Sequence, residues 1–167
     1  MTTASGVKLR PAREADVPRL AAIFLRCFRD AYRGVLDDRV LDALELSVLE
    51  QRWRELVGAH DVVVAIRTDD AVGMARFGAD PDDPSRGHLF SLYVDPASAG
   101  AGVGRMLLEH VSSRLAANGF ARATLWVFEQ NERALRFYRA AGWRPTGAER
   151  IEDEWGAPEL QLESELA

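Results

Sequence analysis

The sequence predicts an α/β fold, with helices flanking a mixed, mostly antiparallel central sheet. Two observations predict it. Short β-branched or alternating runs are interleaved with segments whose apolar residues recur every three or four positions. Between residues 61 and 77, two β-branched runs are joined by Thr68-Asp69-Asp70. That hairpin signal forces antiparallel neighbours into the sheet. The element order is β-α-α-β-β-β-α-β-α-β-β, one domain in which helices cover a sheet.

Val7-Lys8-Leu9-Arg10 alternates and stops at Pro11, giving the first strand. Asp16 is placed to cap a helix carrying Leu20, Ile23, Phe24, Cys27 and Ala31 at helical spacing, interrupted at Gly34. One further helical region carries Leu41, Leu44, Leu49, Trp53, Leu56 and Val57. The hairpin follows, then a loop of breakers over 80–85 and an apolar strand over 88–94 that ends at Asp95-Pro96. Gly100-Ala101-Gly102-Val103-Gly104 opens a helix with Val103, Met106, Leu107, Val111 and Leu115 on its inner stripe, closed by Asn118-Gly119. A strand over 123–128 and a helix over 131–141, closed by Gly142, precede two last strands that turn near Gly156.

At 167 residues the chain fits one domain, and 47% hydrophobic residues suffice for a core. Its apolar runs are far shorter than the roughly 18 residues of a membrane span, and the N-terminal segment has no apolar leader pattern, so a cytoplasmic location is expected. The single Cys27 allows no internal disulfide, and three scattered histidines give no metal-site spacing. A formal charge of −5, from 26 acidic and 21 basic residues, speaks against a nucleic-acid partner and is compatible with a cationic substrate.

The chemistry starts at the glycines. Gly100, Gly102 and Gly104 alternate just before a helix, so bare main-chain amides and the helix N-terminus suit a pyrophosphate or another anion. Arg105 is placed to add a charge-assisted contact. A Walker loop would need Gly-Lys-Ser/Thr where Gly104-Arg105-Met106 stands. A Rossmann fingerprint would need a third glycine at Arg105 and an early strand. Downstream, a strand ends near Asn131, and the next helix carries Ala134, Phe137, Tyr138 and Ala141 on one face, with Gly142-Trp143 after it.

Together the two segments resemble the GNAT-type N-acetyltransferases. That family's pattern is Gln/Arg-x-x-Gly-x-Gly/Ala after a V-shaped opening between two parallel strands. An Asn and a Phe-Tyr pair follow on the next strand–helix unit. Arg10-Pro11-Ala12 with Asp16 is similar to the family's opening, and the resemblance covers nearly the whole chain. One position departs: the Gln or Arg falls on Ala99, so a side-chain contact to the pyrophosphate is missing and weaker cofactor binding is expected.

The resemblance implies acetyl-CoA as co-substrate and no metal. Leu92, Tyr93 and Val94 would offer main-chain N–H groups to the pantetheine arm and to the thioester oxygen. Gly100, Ala101, Gly102, Val103, Gly104 and Arg105 would cradle the pyrophosphate. Asn131, equally a helix N-cap, with Ala134 and Phe137, would line the arm. Tyr138 matches the tyrosine facing the departing thiolate. His88 stands where similar sequences often carry a glutamate base, and an ordinary imidazole would titrate near neutrality; Glu129 and Glu152 are the other options for the base. Phe28, Tyr32 and Trp126 are expected to wall the acceptor site, a role that competes with plain core packing. The acidic residues Glu149, Glu152, Asp153 and Glu154 would attract a cation if the last hairpin borders the cleft. The acceptor expected is a small-molecule or peptide amine, and a homodimer stays open. The rival is a non-catalytic acyl-CoA sensor of the same fold, against which an intact Tyr138 counts.

Overall fold

The computed structural model describes residues 6–167. The start of the N-terminal segment read as leaderless, residues 1–5, lies outside them. Seven strands form one sheet in the order β1-β2-β3-β4-β5-β7-β6. They are β1 (Val7–Pro11), β2 (Asp61–Arg67), β3 (Asp70–Ala79), β4 (Gly87–Val94), β5 (Arg122–Phe128), β6 (Arg144–Glu152) and β7 (Ala157–Glu165). Every neighbouring pair is antiparallel except β4 with β5. The helices are α1 (Val17–Tyr32), α2 (Asp38–Asp42), α3 (Leu46–Ala59), α4 (Val103–Ala117) and α5 (Glu132–Ala140).

Alternation along the strands splits the core in two. On one face Val63, Ala75, Leu89, Leu125 and Leu162 pack against Leu107, Val111 and Leu115 of α4 and Leu135 of α5. On the other, Val64, Met74 and Phe128 pack against Leu20, Ile23, Phe24 and Phe28 of α1 and Trp53 of α3. The hairpin turns through Thr68 and Asp69, both at positive φ, as a tight two-residue turn requires.

Two local expectations are corrected. The helical region after Gly34 is two helices, because Arg29 of α1 donates to the carbonyls of Leu41 (3.5 Å) and Leu44 (3.2 Å) and so takes up the chain's acceptors where α2 ends. Asp16 precedes α1 but makes no side-chain cap to it. Its carboxylate is held instead by Arg10 at 2.7 and 2.9 Å and by the Arg13 N–H at 2.7 Å.

The one parallel pairing positions the site. It runs only from Gly87 to Leu89 against Ala123 to Leu125. Beyond it, β4 continues to Val94 on β3 and β5 continues to Phe128 on β7. The two strands part, and the inner edge of β4 from Phe90 to Val94 has no strand partner among the described residues. A bulge adds to this: register slips between Arg76 and Phe77, so Phe90 and Ser91 together oppose Arg76.

Candidate active site

The opening between β4 and β5 has two sides. On the α4 side, Gly100 and Gly102 adopt φ of 79° and 80°, conformations that L side chains rarely take. A Cβ at either would meet nothing within 4 Å, so the loop faces open space. The first helical hydrogen bond of α4 runs from Met106 to the Gly102 carbonyl, and no side chain caps the helix. The N–H groups of Val103, Gly104 and Arg105 therefore have no helical partner and point outward at the positive end of the dipole. An anion fits there. The exposed Arg105 guanidinium lies 2.9 Å from Glu109. Ala99, in the position of the missing Gln or Arg, is exposed and brings no polar group.

Gly104 sits against α5 and β4. A Cβ there would lie 3.5 Å from the Phe137 ring and 3.6 Å from Val94, which brings Val94, Gly104 and Phe137 into one crevice with Leu92 and Ala134 beside them. Asn131 caps α5, accepting from the Ala134 N–H at 3.1 Å. Tyr138 is buried beside Phe137 and Trp143, with ring centroids at 5.1 and 6.1 Å. Burial pushes its phenol well above the usual tyrosine range, with the Tyr32 phenol adding to the effect. The hydroxyl thus stays protonated and is a hydrogen-bond donor.

On the α1 side, an aromatic wall meets the same opening. Phe28 stacks on Phe24 at 4.4 Å and touches Tyr32 (4.6 Å) and Trp155 (4.8 Å), while Tyr32 meets Phe128 at 4.7 Å. Tyr93 packs on Phe24 at 5.2 Å. Burial pushes the Tyr32 phenol up to about 12 against a hydrogen bond with Asn131. Tyr93 is raised well above its ordinary value by burial, then by Tyr32, Cys27 and Tyr138. Tyr32, Tyr93 and Tyr138, from three different elements, thus converge near the parting of the strands. A cavity of about 310 Å³ lies between Val35 to Asp37, Gln130 and the β6–β7 turn at Trp155 to Pro158. The last hairpin borders this cavity through its turn. Its Glu154 is matched by Arg52 at 2.7 Å, and its Glu152 accepts from the Trp155 N–H at 2.9 Å.

Farther down the same face, His88 is buried. Its Nδ1 lies 2.7 Å from Thr124 Oγ1, which donates to Asp80 Oδ2 at 2.7 Å. With its hydrogen given to Asp80, Thr124 accepts from His88, so Nδ1 carries the imidazole proton and Nε2 keeps its lone pair. The expectation of titration near neutrality is corrected. Burial pushes His88 down to about 4, Asp80 opposes the shift, and Arg150, Arg86 and Arg76 reinforce it. Trp126, two residues before Phe128, stands on this face under Arg150 at 4.3 Å.

Sequence reasoning missed three residues here. Glu159 is buried on β7, raised above the ordinary carboxylate range by burial, and held by Arg150 at 2.7 Å. Arg150 and Arg76 are the others, Arg76 lying 4.2 Å over the Phe90 ring. The alternation of β7 put Glu159 on a polar face, but nothing in it says that Arg150 of β6 meets it there.

Asp95 locks the top of the opening. Buried, it takes Arg19 at 2.6 Å and Arg26 at 2.8 Å from α1, so β4 and α1 hold a fixed relation. Cys27 of α1 donates to the Val94 carbonyl at 3.1 Å, and burial pushes its thiol up to about 12, an inert group. Among the described residues no group of three or more His, Cys, Asp or Glu side chains is arranged to hold a metal, and no helix is long and apolar enough to cross a membrane.

Comparison with known proteins agrees with this architecture. Residues 18–143 match the model of the Acetyltransferase (GNAT) family. YjaB of Escherichia coli K12, named a peptidyl-lysine N-acetyltransferase, is 39% identical over 148 residues, 88% of each chain. The solution structure of its apo form superposes with a TM-score of 0.69 over 94% of this chain and 96% of that one, at 29% identity. The PaiA N-acetyltransferase of Thermoplasma acidophilum, solved with coenzyme A, gives a TM-score of 0.78 at 15% identity over 95% and 98% of the two chains, a likeness of fold. The chain belongs to the GNAT family of acetyltransferases and is an acyl-CoA-dependent N-acyltransferase.

Proposed function

We propose that the protein transfers the acetyl group to the primary amine of a small molecule or peptide, by direct attack of the amine on the thioester. Acetyl-CoA supplies the activated acyl group. The observation that carries the reading is the parted pair β4 and β5, which opens a path from an uncapped helix N-terminus on one face to an aromatic-walled cleft on the other.

In this reading the amides from Gly100 to Arg105 hold the pyrophosphate, while Asn131, Ala134 and Phe137 line the pantetheine arm. Main-chain N–H groups of alternate residues between Leu92 and Val94, turned toward the parting, stabilise the developing oxyanion. Tyr138 donates a hydrogen bond to the departing thiolate. Full proton transfer to a thiolate runs uphill by about 2 kcal/mol even from an ordinary tyrosine, and burial of Tyr138 steepens it, so the hydroxyl stabilises rather than protonates. Phe28, Tyr32 and Trp126 wall the acceptor cleft. An alkylammonium gives up about 4 kcal/mol to be neutral at pH 7. His88 through Nε2 is one acceptor for that proton. Glu159, its basicity raised by burial, is the other.

A second reading, that the acceptor is a lysine side chain of a protein, is favoured by the identity to YjaB. A panel of free amines, amino acids and lysine peptides incubated with acetyl-CoA, followed by thiol release, tests both. Saturable release with one class is expected. No release with any class, in a protein that binds acetyl-CoA, would replace the enzyme with a sensor.

A further inference from the structure

Three arginines surround His88 on the acceptor face, and each shifts its titration. Two are matched: Arg86 Nε lies 2.8 Å from Asp80, and Arg150 Nε lies 2.7 Å from Glu159. Arg76 is different. Its Nε is shielded from solvent with no hydrogen-bond partner, and its guanidinium lies 4.2 Å above the Phe90 ring, with no acidic side chain bonded to it among the described residues. Ser91 Oγ is also shielded and without a partner. The β-bulge sets Ser91 directly opposite Arg76, and cross-strand partners share a face. Arg76 and Ser91 therefore stand side by side on the α1 face of the sheet, where β4 approaches the parting of the strands.

Arg76 is partly buried and only its Nε is closed off, which leaves the terminal nitrogens as the open end; a guanidinium keeps its charge at every accessible pH, and an anion is the group that answers one without a counter-charge. A single guanidinium fork and one hydroxyl match a planar carboxylate, which two parallel N–H bonds and one O–H bond can satisfy. Ser91 immediately precedes Leu92, the first of the residues assigned to the thioester. An anion bound there lies close to the reacting amine. We propose that Arg76 and Ser91 form a carboxylate subsite, and that the acceptor is an amino acid whose carboxylate lies a few bonds from its amine. This inference rests on the acceptor face described under the proposed function.

The test compares the twenty standard amino acids with their amides and their decarboxylated amines, by kcat/KM for thiol release. At least one amino acid should exceed its decarboxylated amine by about 100-fold or more, since a site built to bond a polar group rejects the analogue lacking it. Arg76→Gln should collapse that ratio to about threefold or less, and Ser91→Ala should lower it. Arg67→Gln, at another shielded Nε without a partner but on β2, should leave it unchanged. A wild-type ratio near one, or lysine peptides outrunning every amino acid, overturns the subsite. So does an equal loss on acid and amine in Arg76→Gln. If wild type releases no thiol with any acceptor, the transferase reading fails, and calorimetry with N-acetyl amino acids in the presence of coenzyme A decides the subsite by itself. Binding that Arg76→Gln or Ser91→Ala abolishes supports it, and no binding overturns it.

Discussion

On the proposed mechanism Tyr138 and either His88 or Glu159 carry the chemistry at the residue scale, and each leaves a separate kinetic trace. Tyr138→Phe keeps the ring between Phe137 and Trp143 and removes only the donor. Turnover should fall about 10- to 1,000-fold while acetyl-CoA affinity, measured by calorimetry, holds within a few-fold. A base is lost as it protonates, so the rate falls on the acid side of its own pKa. If His88 is the base, the acidic limb lies near pH 4 and His88→Gln removes it. If Glu159 is the base, the limb lies above the ordinary carboxylate range and disappears in Glu159→Gln. The types and positions of Tyr138 and His88 were legible in the sequence. The His88 environment was not, because Thr124, Asp80 and the three arginines reach it from β3, β5, β6 and the loop after β3, which only the fold brings together.

At the element scale, the N-terminus of α4 is the testable part. Gly102 has a positive φ and its amide neighbours are unpaired, so a substitution there combines backbone strain with whatever the new side chain does. Asn tolerates this conformation far better than most residues, and Asp differs from it by one negative charge. Gly102→Asp should weaken acetyl-CoA binding at least tenfold relative to Gly102→Asn in calorimetry, because only Asp sets an anion against a bound pyrophosphate. Ala99→Arg should strengthen binding. The glycine spacing, the Asn131 cap and the succession of strands along the chain could all be read from residues alone, since local turn and cap chemistry decides them. The break between α2 and α3 could not, since it depends on Arg29 arriving from another helix.

For the whole molecule, burial of His88 couples stability to pH. Its folded pKa, about 4, lies below the ordinary 6.5, so the unfolded chain binds the proton more readily. The contribution is complete above pH 6.5 and is lost as pH falls from there to about 4. The loss is about 3 kcal/mol, or roughly 6–12 °C in Tm for a chain of this size. Calorimetric melts of His88→Gln should show a flatter pH dependence across that window than wild type. An identical slope would assign the window to other groups. The short ladder between β4 and β5 bears on the same scale. Three residues on each strand join β1-β2-β3-β4 to β5-β7-β6. The seam is thus where the sheet breathes, and deuterium should enter residues 90–94 faster than any other stretch of β4. On the proposed binding mode, the pantetheine arm lies along that seam as a surrogate strand, so the co-substrate works as a splint for the fold as well as a reactant.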